Sequence, residues 1–276
     1  MVCTIIVILG IKNFERSELW ATFSTNHNIA TEISSNTNIS QNLPTFTILV
    51  FSKTAVVRHK SIPAGIAAIK ALGRQHNFRV EASEDATIFT DTRLAKYQVV
   101  IFLNTTGDIL NAAQEAAFRR FIQKGRGFVG IHSATDTEYN WPWYGQLVGT
   151  YFENHPRIQR ATINIVNSTH LSTKNLPNRW TRIDEWYNFR NDPSPNVTVL
   201  AKLDESTYSG GTMGRNHPIS WYHIYDGGRA WYTGMGHTSE SYSEPLFLEH
   251  ILGGIRWADG VTSQEVKLYL PMVMKN

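Results

Sequence analysis

Short apolar runs alternate with amphipathic segments through the middle of the chain. Runs of about four to eight apolar residues, bounded by polar turns, are typical of buried strands. We predict such strands at 45–51, 78–82, 97–103 and 127–131. Segments with apolar residues at helical spacing lie between them, at 62–72 and 113–122, with a short helical turn at 91–95. This alternation predicts an α/β fold with a parallel sheet, right-handed crossovers and helices on both faces.

The two longer predicted helices carry recognisable end signals. Ser61 is a candidate N-cap with Pro63 in the first turn, and this helix is expected to break at 76–77. Asn111 followed by Gln114 predicts a capping box, in which each residue bonds the backbone of the other.

After residue 132 the composition changes, and aromatic-rich segments alternate with glycine-containing turns. A short helix is expected within 139–149, and strands at 161–166 and 197–203. The strands 219–225 and 229–233 flank Asp226-Gly227-Gly228, whose residues favour positive φ, so they predict a β-hairpin. A last helix is predicted from Pro245 to Asp259-Gly260.

The two ends of the chain differ in composition from the middle. Residues 22–42 are dominated by Ser, Thr and Asn, so we assign 1–43 to an arm or linker, 44–260 to one domain and 261–276 to a tail. The apolar run 5–11 has no basic residue before it, so a secretory signal is not supported. No segment is long and apolar enough to span a bilayer, and the sequence does not decide between a cytoplasmic and a secreted protein.

Composition narrows the function classes further. With 26 basic and 23 acidic residues and no long basic cluster, nucleic acid is not an expected partner. Cys3 is the single cysteine, which excludes disulfides within the chain, thiolate metal clusters and a cysteine nucleophile in the body of the domain. The Gly-rich segment 209–214 does not join a first strand to a helix, so no nucleotide cofactor is expected.

Candidate chemistry lies where predicted strands end. In an open parallel sheet, ligands bind beyond the carboxyl ends of the strands. Five stretches place His or carboxylate groups in such loops: 58–59, 132–133, 153–156, 184–187 and 234–238.

His132, directly after the strand 127–131, could serve as a metal ligand, a general base or a hydrogen-bond donor. Ser133 lacks the Gly-x-Ser-x-Gly spacing of a hydrolase nucleophile. Asp184 and Glu185 would point to opposite faces of a strand, so at most one is expected to serve the site.

Six ordered segments resemble the ThuA-like (trehalose utilisation) family. They are 48–59, 125–135, 151–156, 184–189, 217–221 and 228–237, the last followed by Gly-Ile-Arg-Trp at 254–257. The resemblance covers about 44–260 and implies a flavodoxin-like three-layer sandwich with a mostly parallel central sheet, similar in fold to class I glutamine amidotransferases. It places His132 at the elbow where amidotransferases carry their cysteine, so glutamine hydrolysis is not expected.

The same resemblance implies a role in sugar utilisation and a set of site residues. His59, His132, Glu185 and His237 are the implied catalytic residues. The candidate substrate-binding residues are Tyr187, Trp221, Ser133 and His217. One departure from the family pattern is Trp186, where an aliphatic residue is more usual.

Three histidines and one carboxylate would also suit a divalent metal such as zinc, although their spacing is too wide for the sequence to show that they meet.

Three functions remain open at the level of sequence. The first is an enzyme acting on a glycoside or keto-sugar, as a hydrolase, lyase or isomerase. The second is a non-catalytic sugar-binding module that uses the same aromatic cleft, and the third is a scaffold or partner-binding domain. A small carbohydrate is the expected partner in the first two, and the sequence leaves a homo-oligomer open.

Overall fold

A nine-stranded sheet runs through the centre of the computed structural model, which describes residues 46–261. In chain order its strands are β1 (Thr47–Phe51), β2 (Arg79–Ser83), β3 (Val99–Leu103), β4 (Gly127–Ile131), β6 (Gln159–Ile165), β7 (Arg179–Asp184), β9 (Thr198–Asp204), β10 (Pro218–Tyr225) and β11 (Gly228–Thr233). Their spatial order is β2, β1, β3, β4, β11, β10, β9, β6 and β7. A separate antiparallel pair consists of β5 (Phe152–Asn154) and β8 (Asn188–Phe189).

Helices cover both faces of the sheet. They are α1 (Ile62–His76), α2 (Asp91–Leu94), α3 (Ala112–Gln123), α4 (Pro142–Val148) and α5 (Pro245–Asp259). Neighbouring side chains of a strand point to opposite faces. In β3, Phe102 packs against Phe118 of α3, with ring centroids 5.3 Å apart, whereas Leu103 contacts the backbone of α1 at Gly65. The predicted three-layer α/β sandwich is therefore confirmed.

The first part of the sheet is parallel, as the sequence predicted. Strands β2, β1, β3, β4 and β11 are hydrogen-bonded neighbours that run in one direction. The predicted capping box is present, since Asn111 accepts from the amide of Gln114 and the Gln114 side chain accepts from the amide of Asn111. Ser61 stands at the N-cap of α1 but makes no side-chain cap. Its hydroxyl instead contacts Asn104 and the carbonyl of Gly236, which ties α1 to the loop after β11.

The second part of the sheet is antiparallel, from β11 through β10, β9 and β6 to β7. The predicted hairpin joins β10 to β11, with positive φ at Asp226 and Gly227. Because each of these four pairings reverses direction, β9 and β7 run with β4, and seven of the nine strands share one direction. The carboxyl end of β7 consequently lies at the same edge as those of β1, β4 and β11.

This antiparallel part has to curl. Four strand spacings of about 4.8 Å would separate β7 from β11 by about 19 Å in a flat sheet. Yet Asp184, at the end of β7, accepts hydrogen bonds from the amides of Gly236 and His237, at 2.8 and 3.0 Å. Gly236 is three residues beyond β11, a span of about 10 Å at most. The register irregularity between β10 and β9 near Pro218 and Ser220 is the kind of bulge that bends a strand.

Several predictions concern parts of the chain outside residues 46–261. The predicted arm 1–43 lies wholly outside the described residues, as does the predicted tail beyond Val261. Within the described part of the chain, none of the helices has the length and apolar character needed to cross a membrane.

Candidate functional site

Four side chains from four separate loops meet at the carboxyl edge of the sheet. His59 comes from the loop after β1, His132 directly follows β4, His237 lies in the loop after β11, and Glu185 directly follows β7. One ring nitrogen or carboxylate oxygen from each lies within 4.8 Å of the others. We call these four residues the His/Glu cluster. The structure thus brings together all four residues that the sequence suggested as catalytic.

His132 occupies a sharp elbow between β4 and the following turn. Its φ is +51°, an uncommon value for a residue other than glycine, and its side chain is fully buried. Nδ1 lies 2.9 Å from the carbonyl oxygen of Gly234, to which it can only donate. In the neutral ring this assignment leaves the lone pair of Nε2 facing the cluster.

His237 is held from behind by Asp184. The carboxylate of Asp184 is completely buried, accepts from the amides of Gly236 and His237, and pairs with Arg182 at 2.7 Å. Both acidic residues of the pair therefore serve the site. Asp184 fixes the backbone of the loop, and Glu185 points into the cluster. The expectation that at most one of them serves the site depends on both being strand residues, whereas β7 ends at Asp184.

Glu185 links the histidines to one another. Its Oε2 lies 3.0 Å from Nδ1 of His237 and 3.4 Å from Nε2 of His132. Burial acts to raise the pKa of Glu185, but the hydrogen bonds and charges of His132 and His237 outweigh burial and hold that pKa well below its usual range. Glu185 is therefore a carboxylate at neutral pH.

Too few protons are available to satisfy this arrangement when both imidazoles are neutral. Nε2 of His132 lies 3.1 Å from Nδ1 of His237, so a single N–H of His237 stands between two acceptors, this nitrogen and the Glu185 oxygen. The lone pair of His132 Nε2 then faces a lone pair of Glu185 Oε2 without a proton between them. A positive centre, either an added proton or a metal ion, would remove that repulsion.

His59 completes the cluster from the opposite side. Its ring packs edge-on against His132 and His237, with centroids 4.9 and 5.0 Å apart. Burial lowers the pKa of His59 to about 3, and the adjacent His132 and His237 add to the shift. His59 is therefore neutral at neutral pH, with a lone pair available for a proton or a metal. Oγ of Ser133 is 3.4 Å from its Nδ1, so Ser133 lies behind the cluster as a partner of His59.

The donor set fits a divalent metal ion. Three imidazoles and one carboxylate are ligands that zinc accepts, and Nε2 of His132 is oriented by the bond that Nδ1 makes to Gly234, as is usual for metal-binding histidines. The His/Glu cluster could therefore hold a metal.

An aromatic wall borders the cluster. Tyr187 is nearly fully buried, and its ring lies 4.2 Å from the ring of His132 and 4.2 Å from that of Phe152. His155 packs on Tyr187, and its Nδ1 lies 3.2 Å from the second oxygen of Glu185. The His155 side chain is 42% exposed, which places it between the cluster and solvent. The sequence pattern marks 153–156 as a candidate loop but does not single out His155 within it.

Two predicted substrate-binding residues are enclosed in the core. Trp221 is almost fully buried against Tyr232, and its Nε1 donates to the carbonyl of Val148. His217 is fully buried between Glu205 and the carbonyl of Tyr187. Both side chains are enclosed by protein, and their predicted contact with a substrate stays a prediction. The sequence could not distinguish these residues from cleft aromatics because both kinds lie in apolar, aromatic-rich segments.

Asn104 is a site residue that the sequence analysis missed. It directly follows β3, has a φ of +50° and is completely buried. Its amide donates to Ser61 and to the carbonyl of Gly236, which joins three loops behind the cluster. The only signal available in the sequence was its place in the polar turn after a buried strand.

Comparisons with known proteins agree with this fold. Residues 47–258 match the protein family described as ThuA, trehalose utilisation. Two similar solved structures are ThuA-like proteins, one from Bacteroides uniformis (24% identity, 77% of this chain and 91% of that chain, TM-score 0.66) and one from Parabacteroides merdae (20% identity, 78% and 90%, TM-score 0.66).

A more distant solved structure is a β-galactosidase from Bacillus circulans sp. alkalophilus (14% identity, 79% of this chain and 31% of that chain, TM-score 0.50). At these identities the solved structures show a shared fold only. A search of the curated proteins found no match.

Proposed function

Because this chain belongs to the ThuA family, whose role is trehalose utilisation, we propose that it is an enzyme acting on a carbohydrate, either a glycoside or a keto-sugar. The reaction would be a hydrolysis, an elimination or an isomerisation, carried out by the His/Glu cluster without a cysteine nucleophile. The observation that carries the proposal is the convergence of four ionisable side chains, from loops up to 178 positions apart in the sequence, within 4.8 Å.

The burial of these groups favours catalysis over a structural role. Buried ionisable groups are costly, and clusters with perturbed pKa values are enriched at functional sites. His132 is in addition held at an unfavourable positive φ, a form of backbone strain that is common at active sites. A domain that only had to fold would be more stable with apolar residues at these positions.

Each residue has a distinct part in the proposed chemistry. The lone pair of His132 Nε2 accepts a proton from a sugar hydroxyl or from a carbon next to a carbonyl, and the Glu185 carboxylate stabilises the imidazolium that forms. His132, fixed by Gly234, offers Nε2 toward the reacting atoms. His237, the most exposed of the three histidines, lies where a proton can pass to or from solvent.

The same residues would bind a zinc-like ion through His59, His132, His237 and Glu185. When bound, such an ion would polarise a sugar oxygen and lower the pKa of that group. Neutral His59 and ionised Glu185 are already in the protonation states that metal ligands need.

The aromatic wall supports a carbohydrate as substrate. Sugar rings present flat C–H faces that pack on aromatic rings, while their hydroxyls need polar partners. The ring of Phe152 packs near that of His155, which in turn lies beside Glu185, so the wall combines both features. We assign substrate positioning to Phe152 and His155 together with Tyr187.

The proposal is tested with His132→Asn and Glu185→Gln in the full chain. Asparagine tolerates the positive φ at 132, and glutamine keeps the shape of Glu185, so both variants should fold. In a screen of glycosides and their keto derivatives, we expect each variant to lose about 100-fold or more in kcat/KM. His223→Asn, a half-buried histidine bonded to Leu147, is the control and should keep full activity.

Elemental analysis of the same proteins separates the metal question from the catalytic one. If a metal takes part, wild-type protein should carry about one ion per chain and His132→Asn should carry less. Binding of a sugar without any product, measured by calorimetry and mass spectrometry, would instead show a sugar-binding module and would contradict the enzyme proposal.

A further inference from the structure

A second polar cluster lies outside the His/Glu cluster. It consists of Asp108 in the loop after β3, Glu115 in the first turns of α3, and Glu138 between the 132–135 turn and α4. One carboxylate oxygen of each lies within 4.8 Å of the others. Among residues 46–261, no Lys, Arg or His forms an ion pair with any of the three. We call these residues the carboxylate cluster.

Glu138 has an unpartnered buried oxygen. The residue is 1% exposed, and its backbone is held at a φ of +55°. Its Oε1 accepts from the amides of Ile109 and Leu110, both at 2.8 Å. Its Oε2 is buried and meets no hydrogen-bond donor in the described part of the chain. Leaving one carboxyl oxygen without a partner in a buried position is costly.

The neighbours of this oxygen make its position less favourable still. Burial, together with the Asp108 carboxyl beside it, raises the pKa of Glu138 to about 8. Burial and Asp108 also raise the pKa of Glu115, an effect that the charge of Arg119 offsets only in part. Within the described part of the chain, three acidic groups thus lie together without an ion pair to balance them.

We propose that the carboxylate cluster binds a calcium ion. Calcium prefers oxygen ligands at about 2.3–2.6 Å, so two oxygens on opposite sides of the ion are about 5 Å apart. Three carboxylate oxygens that all lie within 4.8 Å of one another can therefore reach one such ion together. The oxygen-only ligand set also differs from the nitrogen-rich His/Glu cluster, which favours a borderline metal such as zinc.

The three carboxylates differ in solvent exposure, which would leave one side of a bound calcium ion open to water. Glu138 is fixed by two amides at the buried side, Glu115 is half-buried, and Asp108 is exposed, so water can fill the remaining positions. The ion would join the loop after β3 to α3 and to the 136–141 segment. Hydrogen bonds from the Glu138 amide to Gly107 and from the Trp141 amide to Glu138 already link this region. The calcium ion therefore has a structural role at the edge of the sheet that carries the His/Glu cluster.

The experiment measures calcium binding to the full chain after treatment with a chelator. Titration calorimetry and the melting temperature are recorded with calcium chloride, for wild type, Glu138→Gln and Asp108→Asn. We expect calcium to raise the melting temperature of wild type, because a ligand that binds only the folded state stabilises it. Both variants should bind calcium about tenfold or more weakly.

The variants keep the test independent of folding. In Glu138→Gln, the new side-chain amide oxygen can still accept from the amides of Ile109 and Leu110, and the new N–H₂ group can donate to Asp108. Calcium-free Glu138→Gln should therefore melt at or above the temperature of calcium-free wild type. Asp108 is exposed, so Asp108→Asn should fold in any case. Glu240→Gln, at another exposed carboxylate, is the control and should bind calcium as wild type does.

Two outcomes would overturn the proposal. One is the absence of any calcium-dependent change in heat or melting temperature at millimolar calcium, which would mean that the carboxylate cluster binds no calcium. The other is equal calcium affinity in wild type, Glu138→Gln and Asp108→Asn, which would place the ion elsewhere.

Discussion

The parallel and antiparallel parts of the central sheet contribute to the candidate site in different ways. In the parallel part, β1, β4 and β11 each lead into a loop that carries one histidine, so ordinary strand order brings His59, His132 and His237 to one edge. The antiparallel part contributes Glu185 from β7, the strand at the far edge. Glu185 reaches the histidines only because this part of the sheet curls and Asp184 bonds to the loop after β11.

The comparison separates two requirements of a site on an open sheet. Parallel strands with helical crossovers bring loops together by topology alone. An antiparallel extension adds a residue from a distant strand, but it needs specific buried contacts to hold that strand in place. One such contact is made by Arg182. Its guanidinium nitrogens lie 2.7 Å from an oxygen of Asp184 and 2.9 Å from an oxygen of Glu244.

The largest effect is expected from Asp184→Asn. This change removes a buried charge that pairs with Arg182, which is itself 3% exposed, and breaking such a pair typically costs about 3–5 kcal/mol. Amide hydrogen exchange should show faster exchange in β7 and in the loop 234–238, while β1, β3 and β4 stay protected. Asp204→Asn, at the more exposed pair with Arg179, should leave the stability and the exchange rates close to those of wild type. An equal loss of protection in the parallel and antiparallel parts of the sheet would contradict the idea that Asp184 holds only the antiparallel part in place.

Acid should lower the stability of the protein where His250 of α5 packs on the antiparallel part of the sheet, beside Ser220 of β10. Complete burial lowers the pKa of His250 to about 3, against the opposing effect of its bond to Ser172, so the folded state holds the neutral ring. An unfolded histidine takes up a proton below pH 6.5. Stability contributed by the neutral ring is thus present above pH 6.5 and is lost as the pH falls from 6.5 toward 3, with a slope of up to about 1.4 kcal/mol per pH unit.

His250→Asn provides the check on this acid effect. Asparagine can still donate to the carbonyl of Ser172 but does not titrate. Denaturant unfolding measured between pH 4 and pH 7 should therefore show a shallower pH dependence for the variant than for wild type. An unchanged slope would assign the acid sensitivity to other groups, such as His170, whose pKa burial lowers to about 4.

The smallest effect is expected from Asn111→Ala in the parallel part. The change removes the side-chain acceptor of the capping box at α3 and should cost about 1 kcal/mol in the free energy of unfolding. Activity should be unchanged, because α3 supplies none of the residues of the His/Glu cluster. Unfolding by denaturant measures the first effect and the glycoside assay the second; reduced kcat/KM would show that α3 also positions the site.

Much of the fold could be predicted from the sequence because its signals are local. The run 127–131 coincides with β4, the Asn111 and Gln114 capping box is present, and the Asp226-Gly227 turn forms the hairpin. Strand, helix and turn preferences depend on residues within one or two turns of each other. The family resemblance gave the sheet architecture and the candidate residues of the His/Glu cluster.

The sequence by itself determined the elements, their order and the residue types that could do chemistry. Only the tertiary structure decided which of these residues meet. His217 and Trp221 share the composition of cleft residues but are enclosed in the core, whereas His155 emerges beside Glu185. The physical reason is that burial and proximity arise from the curl of the sheet and from contacts such as that between Asp184 and Gly236, which join positions 52 residues apart.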